Sequence, residues 1–345
     1  MRILATADPE LPVPPKLYGG IERIVDLLVR GLKARGHEVA LVAHRDSSCP
    51  ADKLFHWPGL RSQDAVDVLR NTVALYAAVR EFRPDVLHSF SRALYMLPLY
   101  MSSLAKVMSY QRPPGLRQIR LASVLGGRTL TFTGCSEFIC KRGQAAGGLW
   151  LAIHNFVDLD SYQYQPEVPS DAPLVFLSRI ERIKGAHTAI EVALKTGRRL
   201  LIAGNHGESG QEGRYWREEI APYLGRNGVE YVGPVNDAEK NQLLGSAAAM
   251  IVPIEWDEPF GIVFAEALAC GTPVISCPRG ALPEIIRHGT DGFLVQSVAD
   301  ACAAVEKLPG LARQVCRERA ERCFSAPVIV SKYEQLYASA VGGKA

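Results

Sequence analysis

The chain lacks any apolar run long enough to cross a bilayer, so no transmembrane helix is expected. It lacks paired cysteines. Cys49, Cys135, Cys140, Cys270, Cys277, Cys302, Cys316 and Cys323 stand singly, with no C-x-x-C spacing, which argues against zinc and dithiol redox chemistry. Scattered thiols suit a reducing compartment. The start, Met1-Arg-Ile-Leu-Ala-Thr6, reads directly as a strand and lacks signal-peptide anatomy, so a cytoplasmic protein is expected. Internal repeats and low-complexity tracts are also missing. No strong net charge marks it as a nucleic-acid binder, since the formal charge is only +3. What remains is 345 residues with 48% hydrophobic content and a mean hydropathy near zero. That composition suits two α/β domains.

Strand and helix patterns alternate twice. Arg2–Ala7 reads as a strand, residues 9–15 as a Pro-rich loop, and Ile21–Arg35 as a helix stopped by Gly36. A strand at Glu38–Ala43, a helix at Asp67–Phe82 and a strand at Asp85–Ser89 follow. Ala93–Val107 reads as a buried apolar helix, and Leu130–Cys135 closes this set. Gln165–Pro173 holds three prolines and suits a linker. The second set has strands at Leu174–Leu177, Arg199–Ala203, Glu230–Val232 and Ala247–Pro253. Between them lie helices at His187–Thr196, Tyr215–Leu224 and Ala238–Ala247. Alternation of this sort predicts two parallel sheets.

The most informative segment is Glu258-Pro-Phe-Gly-Ile-Val-Phe-Ala-Glu266, which joins the strand Ala247–Pro253 to a helix stopped by Gly271. Glu258 falls in the loop at the strand's carboxyl end, and Glu266 about two turns into the helix. Between them, the amides of Phe260, Gly261, Ile262 and Val263 lie at a helix N-terminus, where free N–H groups and the helix dipole attract an oxyanion. Gly261 lets a ligand approach the backbone. The flanking carboxylates repel phosphate but accept hydrogen bonds from hydroxyls. A diphosphate between two polyol rings fits that order, which describes a nucleotide sugar. A solvated first helical turn is the plain alternative.

With Tyr18-Gly-Gly-Ile-Glu22, Asp85-Val-Leu-His88, Leu177-Ser-Arg179, Lys184-Gly185, Leu201-Ile-Ala-Gly204, Tyr231-Val-Gly-Pro-Val235, Ala281-Leu-Pro-Glu284 and Asp291-Gly-Phe-Leu294, the segment resembles the E-x7-E pattern of glycosyltransferase family four. These are retaining enzymes of the GT-B fold. The resemblance implies two Rossmann-like, doubly wound parallel-sheet domains with the site in a cleft between them. It implies an N-terminal acceptor-side domain at residues 1–155, joined by a C-terminal crossover helix at 327–341. A donor-binding domain would occupy 156–326.

The resemblance also assigns roles. Arg179 and Lys184 would grip the donor diphosphate and carry leaving-group charge without a metal or other cofactor; no Asp-x-Asp pair stands at a comparable strand end. Glu258 would face the transferred sugar and Glu266 the ribose. Gly19 and Gly20 would offer amides to the diphosphate, and a simple loop-to-helix turn is their alternative. Gly204 and Val235 would border the nucleotide. His88 ends a strand at the expected site, with a satisfied core histidine as the other reading. Gln111 stands where the family usually has a second His; it can bind a sugar hydroxyl but cannot shuttle protons.

The implied activity is transfer of a sugar from a UDP- or GDP-sugar to a glycan, lipid-linked or small-molecule hydroxyl. An epimerase-like enzyme on the same fold and a non-catalytic nucleotide-sugar scaffold are the alternatives. Charge is unevenly spread: residues 1–155 carry +8 and the rest −5. Arg112, Arg117, Arg120, Arg128, Lys141 and Arg142 face only Glu137 in their stretch. Such a basic face suits a phosphorylated acceptor, peripheral contact with an anionic membrane, or plain solvation.

Overall fold

A computed structural model describes residues 1–15 and 19–343; Tyr18 of the Gly19-Gly20 motif lies outside them. The chain divides into two compact units. One is Met1–Phe156 with the segment from Ala326 onward, and the other is Val157–Ser325.

The first unit is built on a seven-stranded sheet. Its strands are β1 (Arg2–Thr6), β2 (Glu38–Ala43), β3 (Lys53–His56), β4 (Val86–Ser89), β5 (Ala105–Tyr110), β6 (Leu130–Gly134) and β7 (Leu149–Ala152). All neighbours pair in parallel, in the order β3-β2-β1-β4-β5-β6-β7. The inner strands are nearly all buried, as in a sheet covered on both faces, with Thr6, His88, Ser89, Lys106, Ser109, Thr131 and Thr133 as buried polar residues among the aliphatic ones. One face carries the helix Ala65–Phe82, a 3-10 turn at Ala93–Leu99 and the helices Leu116–Gly126 and Glu137–Gln144. The helix Gly20–Ala34 packs on the C-terminal helix Ala326–Gly342, which lies against β4 and β5.

The second unit has six parallel strands: β8 (Leu174–Leu177), β9 (Leu200–Ala203), β10 (Val229–Gly233), β11 (Ala249–Val252), β12 (Val274–Ser276) and β13 (Gly292–Leu294). Their order is β10-β9-β8-β11-β12-β13. In both sheets the chain winds outward in one direction, returns to the middle, and winds out in the other. The return lies between β1 and β4 in one unit and between β8 and β11 in the other. In open parallel sheets the carboxyl edge at such a crossing is where ligands bind.

Three expectations need correction. Ala93–Val107 is not one helix. It is a 3-10 turn followed by β5, because Pro98 removes a donor and the chain must re-enter the sheet. Tyr215–Leu224 is broken into a last α-turn, a π-type turn at Trp216–Ile220 and a 3-10 turn. The proline stretch Gln165–Pro173 is not a free linker. Gln165 donates to the Cys270 carbonyl at 3.1 Å, and its own carbonyl accepts from buried Arg313 at 2.7 Å. The chain passes from the first unit to the second at Phe156–Val157.

Candidate active site

In the second unit, the loops after β8 and β11 run side by side. The Glu255 amide donates to the Ile183 carbonyl at 2.8 Å. Gly185 has φ +78°, and a Cβ there would lie 2.2 Å from the Pro253 carbonyl oxygen. That close approach brings Lys184 to Glu258, with Nζ 2.7 Å from Oε2. Trp256 Nε1 donates to the same oxygen at 3.1 Å, and the Lys184 ammonium lies 4.5 Å from the Trp256 ring centroid. Both charged side chains are nearly buried, at 9% and 12% exposure, so the pair works in a weakened dielectric.

Beyond Glu258 the chain turns at Gly261, φ +83°, and enters the helix Ile262–Ala269. A Cβ at Gly261 would lie 2.5 Å from the Phe264 ring, so the tight turn requires glycine. Phe260 is buried and meets Phe324 edge to face, which anchors the turn. The amides of Ile262 and Val263 open the helix and by position have no intrahelical acceptor. Glu266 lies about one turn into the helix, not two as expected, because the helix starts only at Ile262; it is again buried. Its Oε1 accepts from the Tyr162 hydroxyl at 2.6 Å and from Lys240 Nζ at 2.6 Å. The two expected carboxylates thus flank the helix start, each held by a cation and an aromatic donor. Sequence reasoning missed Trp256, Tyr162 and Lys240; a lysine on the preceding helix and a tyrosine about a hundred residues upstream carry no local signal.

Arg179 lies in the same loop as Lys184, but its guanidinium pairs with Glu181 and stays half exposed. Gly204 follows β9, and a Cβ there would lie 1.9 Å from the Ser178 carbonyl oxygen. Its carbonyl accepts from the Tyr231 hydroxyl at 2.9 Å. Val235 is half buried beyond β10. His206 stacks on Trp216 at 3.9 Å, and Tyr231 meets Trp216 edge-on. Gly280, also missed, has φ +58°, and a Cβ there would lie 2.2 Å from the Glu258 carbonyl oxygen. The neighbouring Ala281 amide donates to that carbonyl at 2.8 Å.

In the first unit, the carboxyl edge at the β1/β4 crossing opens a cavity of about 400 Å³ lined by Asp8, Phe90, Arg92, Tyr110, Gln111 and Arg112, among others. Asp8 Oδ1 and Tyr110 Oη are sealed from solvent with no hydrogen-bond partner. Burial, with Glu10 second, pushes the Asp8 carboxyl up to about 6 against the pull of Arg112 and Arg92. Glu22 on the adjoining helix is also raised, chiefly by burial. Gly19 is wedged between Pro15 and Glu22; a Cβ would lie 2.6 Å from Pro15 Cβ and 2.8 Å from Glu22 Oε2. Gly20 opens the helix Gly20–Ala34.

His88 is set apart from this cavity, and its expected catalytic role is corrected. Strand alternation turns Leu87 toward one face and His88 toward the C-terminal helix. The imidazole is fully buried, with Nδ1 2.6 Å from the Tyr337 hydroxyl and Nε2 2.6 Å from the Ser109 hydroxyl. Burial pulls it down to about 3, so it is neutral and both nitrogens are occupied. It is a core histidine.

Comparison with known proteins agrees with this architecture. Residues 164–322 match the family model for glycosyl transferases group 1, and residues 18–112 match glycosyltransferase family 4. A glycogen synthase of Mycobacterium tuberculosis is 26% identical over 396 residues, covering 96% of this chain and 94% of that protein. Sucrose-phosphate synthase from Thermosynechococcus elongatus superposes with a TM-score of 0.79 at 19% identity, covering 99% of both chains. Anabaena HepE in complex with UDP-glucose superposes at 0.73 and 18% identity, covering 98% of this chain and 100% of that one. With both family models matched in chain order and the same two-sheet fold, the chain belongs to the GT-B glycosyltransferases of group 1 and family 4.

Proposed function

We propose that the protein is a retaining glycosyltransferase that moves a sugar from a UDP- or GDP-sugar to an acceptor hydroxyl, without a metal or other cofactor. The observation that carries this reading is the buried Lys184–Glu258 pair at the β8/β11 crossing, beside an open helix N-terminus. A diphosphate at the Ile262 and Val263 amides meets the Lys184 charge, and half-exposed Arg179 can leave Glu181 to join it. Lys184, freed from Glu258, leaves that carboxylate to accept sugar hydroxyls. Glu266, oriented by Tyr162 and Lys240, takes the ribose hydroxyls. The nucleotide base lies toward Gly204, Val235 and the His206–Trp216 stack.

The anomeric carbon–oxygen bond breaks first, and its electron pair passes to the diphosphate oxygen. Lys184 and the helix amides stabilise that charge. The acceptor oxygen bonds to the anomeric carbon on the face being vacated, and its proton passes to the departing diphosphate. Configuration is retained without a carboxylate nucleophile.

The cavity of the first unit suits the acceptor. Its polar lining, with Asp8, Arg92, Gln111 and Arg112, offers hydrogen-bond partners for acceptor hydroxyls. Glycans, lipid-linked sugars and small polyols all present such hydroxyls. A cytoplasmic site of action, with peripheral contact at an anionic membrane, completes the reading.

A thermal-shift series with UDP, GDP, ADP and their sugars, with EDTA throughout, tests the donor site. The expected outcome is a rise in melting temperature with one nucleotide series only. Glu258→Ala should then keep nucleotide binding and lose transfer. Full transfer in that variant sinks the mechanism. Nucleotide binding with no transfer to any acceptor favours the scaffold, and interconversion of the donor sugar alone favours the epimerase.

A further inference from the structure

More than half of the exposed large apolar side chains among the described residues lie on one helical layer of the first unit. On the helix Ala65–Phe82, Val66, Leu69, Val73 and Tyr76 are exposed. Their spacing puts them on one stripe, about half a turn from the buried Asn71, Leu75, Ala78 and Phe82. The turn Ala93–Leu99 packs beside that helix and exposes Leu94 and Leu97; Met101 follows it at 85% exposure. The helix Leu116–Gly126 touches the same turn. It buries Ile119, Ala122 and Gly126 and turns Arg117, Arg120, Leu121 and Val124 outward, with Val124 77% exposed.

Scattered exposed aliphatics are ordinary on a soluble protein. A contiguous set on three adjacent elements is not. The charge is one-sided as well. Between Leu116 and Thr129 three arginines meet no acidic residue. Among the described residues, Arg80, Arg117, Arg120 and Arg128 form no ion pair. The acids of the helix Ala65–Phe82 are engaged: Asp67 accepts from the Arg61 amide and lies 3.7 Å from Arg70, and Glu81 pairs with Lys53.

We propose that this helical layer is a docking face for an anionic lipid bilayer. Its aliphatic side chains enter the headgroup boundary, and its arginines meet lipid phosphates. The mixture of outward Leu, Val and Met with Arg is the chemistry of an interfacial surface. No helix among the described residues is long and apolar enough to cross a membrane, so the bilayer is met from outside. A second copy of the chain fits poorly, because a two-fold contact through this face sets the unpaired arginines against their own copies. The proposal deepens the membrane contact suggested above by naming its face. It does not depend on the transferase reading.

The test is co-sedimentation of the full chain with phosphatidylcholine vesicles and with vesicles containing phosphatidylglycerol, at low and high salt. Two double variants accompany the wild type, Leu69→Glu/Val73→Glu and Leu121→Glu/Val124→Glu. The expected result is binding to the anionic vesicles alone, weakened by salt, and reduced on the order of tenfold or more in each variant. The nucleotide-induced thermal shift should be unchanged in both, which keeps this result separate from the donor site. Undiminished binding by both variants moves the contact to another face and overturns the assignment. Absence of binding to anionic vesicles overturns the membrane contact altogether. A dimer in sedimentation that the variants abolish, without vesicle binding, assigns the face to a second copy instead.

Discussion

Asp8 carries a stability cost that the proposed acceptor site would explain. Its carboxyl is raised to about 6 from an ordinary value near 3.8, so the folded state holds its proton more tightly than the unfolded chain. The stability tied to that proton is fully present below about 3.8 and is lost as pH rises through about 6. At neutral pH the ionised carboxylate is therefore a burden of about 2 kcal/mol, discounted for its partial exposure. Glu10 and Glu22 add to that cost, while Arg92 and Arg112 relieve it. Asp8→Asn should raise the melting temperature near neutral pH and lose that advantage near pH 4. The same variant should weaken acceptor use, read as a higher KM with the nucleotide shift intact. Equal melting temperatures at both pH values would contradict this account of Asp8. Histidine 88 teaches the opposite lesson. Its position at a strand's carboxyl end was legible in the sequence, but the face it turned to was not. Two tyrosines some 250 residues downstream settled it, and nothing local to His88 announces them.

At the scale of elements, glycines set the geometry of the loops around Glu258. Gly280 has φ +58° and supports the backbone of Glu258 from a loop about twenty residues later. Gly280→Ala combines a strained left-handed residue with a Cβ only 2.2 Å from the Glu258 carbonyl oxygen. The expected cost is about 2 kcal/mol or more, seen as a lower melting temperature. Because Glu258 moves with that loop, the proposed transfer should fall further than stability alone explains; nucleotide binding, which the proposal assigns to Lys184 and the helix amides, should fall less. The strand–loop–helix unit around Glu258 was readable from sequence because its signals are local: an apolar run, a turn glycine and a helix stop. The edge strands β3 and β7 were not. They are short, and β3 carries Lys53 and His56 among its four residues, which hides the strand pattern. The stretch before β5 misled for a related reason, since hydrophobicity alone does not separate a buried turn from a helix.

For the whole molecule, alternation and order of motifs were enough to expect two parallel sheets, because each βαβ step is written in neighbouring residues. The first unit is nonetheless discontinuous: its final helix, Ala326–Gly342, follows the entire second unit. That helix brings Tyr333 and Tyr337 to His88 and Glu334 to Arg35 and His37. A chain ending at Ser325 should keep a cooperative melting transition for the second unit and lose that of the first, as calorimetry would record. Two unchanged transitions would show that the helix is dispensable. The same discontinuity bears on how the protein is made. As the chain leaves the ribosome, the second unit has all of its residues before the first does. The order of completion therefore runs against the order of synthesis. Until the last turns emerge, the nascent first sheet exposes the face of β4 and β5 that the final helix covers. A chaperone that shields aliphatic surface should be found on stalled nascent chains that end before Ala326 and be absent from released full-length protein.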